Sequence, residues 1–392
     1  TWLAIRSTTV ASIASSAFVT RTRSRKGRKR SIAAAATVKN LILTDVNVSG
    51  TYNVGALAGT NNGRVENIIA SGSVLASNYS VGGIFGSSTA TSSGTNINSR
   101  VHVTTTGTSG VSYYVGGLVG YMTGGTYIND AVSGDITTKD HIYYVGGFSG
   151  YAAGGSKITQ SSYTGNMTTP LDGYLGGFMG YSTATITGCY TTANINGGDW
   201  NFSSNGGFVG WNAGGKIDSS YATGNVVMGQ AWHSSAFVGW NAGDISNSYS
   251  TGNFTVSPGP IPGGNGTIGL IKNYGGLVGY NASGKISNSY ATGKITALGV
   301  SERPPYYVGG LVGDLAGGSI ERSYATGDVT AVGGGDSFGH AWGVDHQPFA
   351  GVDAAAVAGA AAGAFRLCAG ARAAGLCWHR ALRRGQGGCR WV

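Results

Sequence analysis

Charge is scarce in this chain: Asp, Glu, Lys and Arg together make only 10% of its 392 residues, and there are 7 prolines and 4 cysteines. Cys189 stands in mid-chain while Cys368, Cys377 and Cys389 sit near the end, with no CxxC pair. A zinc or redox centre is therefore not indicated. The six histidines lack ligand spacing, and HExxH, GxSxG and calcium-loop motifs are missing, which argues against a metallopeptidase or serine hydrolase and leaves no metal or cofactor to assign. No apolar run reaches the roughly 20 residues of a membrane-spanning helix. The N-terminal stretch does not read as a secretory signal, because its basic cluster Arg21–Arg30 follows the mildly apolar part instead of preceding it.

What is abundant is glycine, at 71 residues, without the every-third-residue recurrence of collagen. It recurs inside a phrase. YYVGGLVGY from Tyr113 returns as YYVGGFSGY from Tyr143 and YYVGGLVGD from Tyr306, with looser copies between. The anchors, taken at the first glycine of each pair or its replacement, are Gly55, Gly82, Gly116, Gly146, Gly176, Gly206, Ser235, Gly275 and Gly309. Self-similarity at a period of about thirty residues marks a stacked architecture in which each unit buries its core against its neighbours.

The net charge of +9 is unevenly spread. Residues 1–36 hold eight Lys or Arg and no acid, the tail from Val344 holds six Arg against Asp345 and Asp353, and the repeats between carry 11 basic and 14 acidic residues. The repeats therefore offer no electrostatic footprint for nucleic acid. Three regions follow: a basic non-repeat flank at 1–36, a repeat domain at 37–343, and an Ala/Gly/Arg-rich non-repeat tail at 344–392. One or both flanks read as out-of-frame translation, since the tail composition is that of GC-rich codons in a shifted frame; the basic RTRSRKGRKR otherwise reads as a solvated arm or as a nucleic-acid or localisation signal.

Aligned units show three strand-like pieces, VGGLVGY, KISNSYAT and KITA, separated by Gly, Asn and Asp turns. This predicts an all-β chain, a parallel β-helix of about nine coils, roughly 40 Å long at the strand spacing. Leu57, Ile84, Leu118, Phe148, Phe178, Phe208, Phe237, Leu277 and Leu311 follow the glycine pair and are the expected core. The pair itself is expected to supply positive φ or a close backbone approach, which puts the corner at Ser235 in question. Two aromatic columns are expected: Tyr121, Tyr151, Tyr181, Trp211, Trp240 and Tyr280, and Tyr163, Tyr190, Tyr221, Tyr249, Tyr290 and Tyr324. Either is a structural stack or a sugar-binding strip.

Units such as YGGLVGYNASGKISNSYATGKITA resemble the GLUG repeat of bacterial surface and secreted proteins, including haemagglutinin-like adhesins, over roughly 38–343. The resemblance implies an extracellular β-solenoid and supplies no catalytic residues. GxxxxGK at Gly210–Lys216 and Gly279–Lys285 lacks the following Ser or Thr of a phosphate loop, and GNGTIG at Gly264–Gly269 lacks a preceding strand. A β-helix glycosidase or lyase would need paired carboxylates; Asp218 and Asp244 come closest, though the acids lie near turns. An ice-binding solenoid would need an uninterrupted threonine array. Insertions fall before successive glycine corners, so the expected ligand-binding edge carries Asp199, Trp200, Phe202, Trp232, His233, Arg303 and Tyr306. The expectation is a non-catalytic stalk and adhesive surface, part of a larger cell-surface chain, binding glycans or surface proteins.

Overall fold

A computed structural model describes residues 3–6, 19–21, 30–106, 112–139, 142–170, 172–197, 203–229, 231–256, 273–298, 307–332 and 340–342. Among them there is no helix, and almost every strand pairs in parallel with its equivalent one coil away. Three sheets run along the rod. Sheet I has nine strands, from Ser80–Gly82 to His340–Trp342; sheet II has eleven, such as Val119–Met122; sheet III has 25 and takes three short strands from each typical coil, such as Lys285–Ser287, Tyr290–Ala291 and Ile295–Leu298. The anchors stay in register from Gly82 through Gly116, Gly146, Gly176, Gly206, Ser235 and Gly275 to Gly309. Parallel stacking includes Ser31, which pairs with Thr60, and Leu3, which pairs with Leu41, so it reaches upstream of residue 37. The expected β-solenoid is the fold observed.

The repeated phrase is not one strand but two. Ile142–Gly146 lies in sheet I and Ser149–Ala152 in sheet II, and the chain folds back between them. Close approach, not positive φ, makes the glycines necessary. A Cβ at Gly146 would sit 2.0 Å from the Ser149 carbonyl oxygen across the bend. A Cβ at Gly150 would sit 2.6 Å from the Val115 nitrogen, because sheet II packs its bare backbone against sheet I there.

The coil at Ser235 keeps its register by inserting a hydroxyl into the ladder. One rung earlier the Phe208 N–H donates directly to the Phe237 carbonyl at 2.8 Å. At Ser235 the Phe237 N–H donates to Oγ at 3.1 Å, and Oγ donates to the Leu277 carbonyl at 3.1 Å. The corner survives the loss of both glycines because the hydroxyl satisfies both backbone groups.

The expected core column is buried at every position except Leu57, which is half-buried. Phe148, Phe178, Phe208 and Phe237 stack with centroids 4.9–5.0 Å apart. The piece KISNSYAT is also two strands, broken by a residue in the left-handed region: Asn288 has φ 49, and Asn96, Asn129 and Asn247 hold the same corner at φ 55, 57 and 51. Asparagine tolerates that conformation, and its side chain ties coil to coil, as where Asn96 Nδ2 donates to Asn67 Oδ1 at 3.0 Å. A second amide ladder lies in the core: Asn212 Nδ2 donates to Asn241 Oδ1 at 2.8 Å, and Asn241 Nδ2 to Asn281 Oδ1 at 2.7 Å.

Candidate functional site

Residues of the two halves of the glycine phrase meet on the outside of the fold-back and form a double column of rings. On sheet I the register runs Tyr114, Tyr144, Tyr174, Ser204, His233, Asn273, Tyr307. On sheet II it runs Tyr121, Tyr151, Tyr181, Trp211, Trp240, Tyr280, Asp314. The columns interlock, with Tyr144 stacked on Tyr114 and Tyr174 at 5.4 and 5.2 Å and edge-on to Tyr151 at 5.4 Å. Burial, then the neighbouring phenols, pushes the Tyr151 hydroxyl up to about 12.

Stacking order changes along the seam. Tyr151 and Tyr181 lie parallel, 4.4 Å apart with 3° between their ring planes. Trp211 is then turned 66° from Tyr181, and Trp240 is turned 68° from Trp211. An edge-on contact leaves uncovered a ring face that a parallel stack would cover. His233 occupies the tyrosine position of sheet I and stacks on Tyr280 at 4.7 Å, with Trp232 6.2 Å from it. Burial holds the His233 imidazole down at about 4, so the ring is neutral at physiological pH. The next position of each column is polar, Asn273 after His233 and Asp314 after Tyr280: Asn273 Nδ2 donates to Asp314 Oδ2 at 3.0 Å, and burial raises the Asp314 carboxyl above the usual carboxylate range.

Of the seven residues expected on a loop edge, Asp199, Trp200, Phe202, Arg303 and Tyr306 lie outside the described residues. Trp232 and His233 are described, and His233 belongs to the strand His233–Ser235, not to a loop. The structure brings these two together with Trp211, Trp240 and Tyr280, which the sequence placed in a separate column. What joins them is the fold-back, which sets sheet I beside sheet II. The segments 198–202, 257–272 and 299–306 are anchored at one corner, between the last strand of sheet III and the first of sheet I.

The other tyrosine column is a different object. Tyr190, Tyr221, Tyr249, Tyr290 and Tyr324 stack at 4.8–5.2 Å and within 8° of parallel, so ring faces cover one another and only edges and hydroxyls meet solvent. Tyr163 does not join them. Ser162 pairs with Tyr190 while Tyr163 pairs with Thr191, one position inward. It is fully buried, with its hydroxyl donating to the Asn166 carbonyl at 3.0 Å. One extra step along a strand swaps core for surface.

The acids and lysines of the other sequence motifs make coil-to-coil contacts or open strands. Asp218 Oδ1 accepts from Ser246 Oγ at 2.6 Å and from Asn247 Nδ2 at 2.9 Å, and these bonds hold its carboxyl below the usual range. Asp244 Oδ1 accepts from the Lys285 N–H at 2.8 Å. Both carboxylates are tied to the next coil. Lys216 and Lys285 open strands, not helices, and Gly264–Gly269 lies outside the described residues. Cys189 is a buried rung of a serine column: its N–H donates to Ser220 Oγ at 3.2 Å and its Sγ accepts from the Ser161 N–H at 3.4 Å.

No curated protein and no solved structure matches this chain. The family model of the GLUG motif matches residues 205–227, 272–296 and 305–330. These stretches contain Trp211, Tyr280 and Asp314 of the seam and Tyr221, Tyr290 and Tyr324 of the other tyrosine column. The chain thus carries GLUG repeats, and in it they are coils of a continuous parallel β-solenoid.

Proposed function

We propose that this chain is the non-catalytic stalk and adhesive surface of a bacterial secreted or cell-surface protein, and that its aromatic seam binds glycans. The observation carrying the reading is the turn of Trp211 and Trp240 out of the parallel stack: both are half-buried, Trp211 edge-on to Tyr181 and Trp240 edge-on to Trp211. A rod needs only a stack for cohesion; indoles turned out of it offer a face to the apolar side of a sugar ring. Insertions anchored at the adjoining corner can vary while the stacked core holds them in place. A glycan-array screen of the whole chain beside a Trp211→Ala/Trp240→Ala variant tests this. Glycan binding lost in the folded variant supports it; binding that survives, or none by the parent, refutes it.

A further inference from the structure

The sheet II column of the aromatic seam ends abruptly. Six successive rungs of its sheet II column are rings, from Tyr121 to Tyr280, and the next is Asp314. On sheet I the polar residue comes one coil earlier, where Asn273 follows His233, and Tyr307 follows Asn273. No ring follows Tyr280 on its column, and one strand spacing on, about 4.8 Å, stands a carboxylate, partly open to solvent. A break in an otherwise regular ladder is where a requirement other than cohesion shows itself.

The polar groups at the break are of one kind. Asn273 spends its Nδ2 donor on Asp314, and its Oδ1 has no hydrogen-bond partner although the residue is 0% exposed. Nδ1 of His233, on the neighbouring strand, is also buried and unpartnered. Uncharged imidazole carries one acceptor nitrogen, and a carboxylate accepts at both oxygens. The break thus presents acceptors and a net negative charge, with aromatic faces around them. Neither column carries a Lys or Arg at any rung from Tyr114 to Asp314. Buried acceptors left unpaired are costly, so a ligand suited to this place donates hydrogen bonds and carries positive charge.

We propose that the notch formed by Tyr280, His233, Asn273 and Asp314 binds a primary ammonium group, supplied by a free-amine sugar in a glycan lying along the seam. The inference rests on the glycan reading above and narrows it. An ammonium has three donors and no acceptor, matching the carboxylate and the orphaned Asn273 oxygen, while the Tyr280 ring attracts it by its negative face. Asn273 acts as a positioning residue that orients the carboxylate. An N-acetylated sugar has neither the charge nor the extra donors. Trp240, one rung before Tyr280 with its ring centroid 6.4 Å away, would carry the preceding sugar of the chain.

The test is a calorimetric titration of the whole chain with glucosamine oligosaccharides and with their N-acetylated counterparts. Two variants accompany it, Asp314→Asn and Asp314→Tyr; the second restores the ring that earlier rungs carry and so suits the fold. The proposal expects the free-amine oligomer to bind at least about tenfold more tightly than the acetylated one, and both variants to erase that difference. Equal binding of the two sugars, or a preference that persists in both folded variants, overturns the ammonium site and leaves the glycan reading intact. A lysine peptide that binds more tightly than the glucosamine oligomer overturns the assignment to a sugar. Binding of neither oligosaccharide overturns this proposal, and the array screen then decides separately whether any glycan binds.

Discussion

Replacing Asp130 by serine should stabilise the rod, and more so as pH rises. A buried column at one corner runs Ser161, Cys189, Ser220, Ser248, Ser289, Ser323. Each serine accepts from the N–H one coil back and donates to the carbonyl two residues earlier, as Ser248 does with Ser220 at 3.2 Å and Ser246 at 2.7 Å. Asp130 is the rung before Ser161. Its Oδ1 accepts from the Ile97 N–H at 2.8 Å, but Oδ2 is buried without a partner. A carboxylate can accept and cannot donate; only the protonated acid can do both, as serine does. Burial accordingly lifts this carboxyl from 3.8 to about 8, against the pull of its backbone hydrogen bonds.

The sign follows directly. The folded state holds the proton up to about pH 8 and the open chain releases it near 3.8, so between those values folding takes up a proton. Stability is full below pH 4 and falls by ~1.4 kcal/mol per pH unit until about pH 8, on the order of 4 kcal/mol by pH 7. Asp130→Ser removes that slope, so urea midpoints of parent and variant should be close at pH 4 and diverge in the variant's favour at pH 7 and 9. Cys189→Ser is the control: the same column, a thiol that burial pushes up to about 12, and no expected change in slope below pH 9. A gap between parent and Asp130→Ser that is the same at pH 4 and pH 9 would refute the reasoning.

Gly146→Ala should prevent the fold-back, costing on the order of 3 kcal/mol or more, because its Cβ meets the Ser149 carbonyl at 2.0 Å and backbone cannot swing aside; loss of cooperative unfolding or of soluble protein would show it. Asn241→Ala interrupts the core amide ladder and strips a donor from Asn281 Oδ1 and an acceptor from Asn212 Nδ2. A loss of about 1–3 kcal/mol per group left unpaired is expected, read as faster amide hydrogen exchange in the coils on either side.

The period, the class of fold and the inward residue after each glycine pair were legible because a solenoid writes the same local requirement once per coil. Phe208 is buried for the same reason as Phe178, and the repeat announces both. Tyr163 was misread because SSYTG looks like SYATG, and only the pairing of Ser162 with Tyr190 reveals the single-residue step that turns its ring inward. The left-handed corner was visible only as a frequently recurring Asn; that the Asn side chains also bond across coils shows only once the coils are stacked.

The sequence by itself determined that this chain stacks, how often, and which side chains fill the core, since those follow from glycine, apolar and turn residues acting within one coil and on its neighbour. Only the tertiary structure decided that the glycine phrase bends into two sheets. That bend sets His233 against Tyr280 and Asn273 against Asp314, 47 and 41 residues apart in the chain and in contact in space. The physical reason is that a side chain's partners across a fold-back depend on where the backbone turns, and the turn is set by a close approach between carbonyl and Cα that no single stretch of letters records.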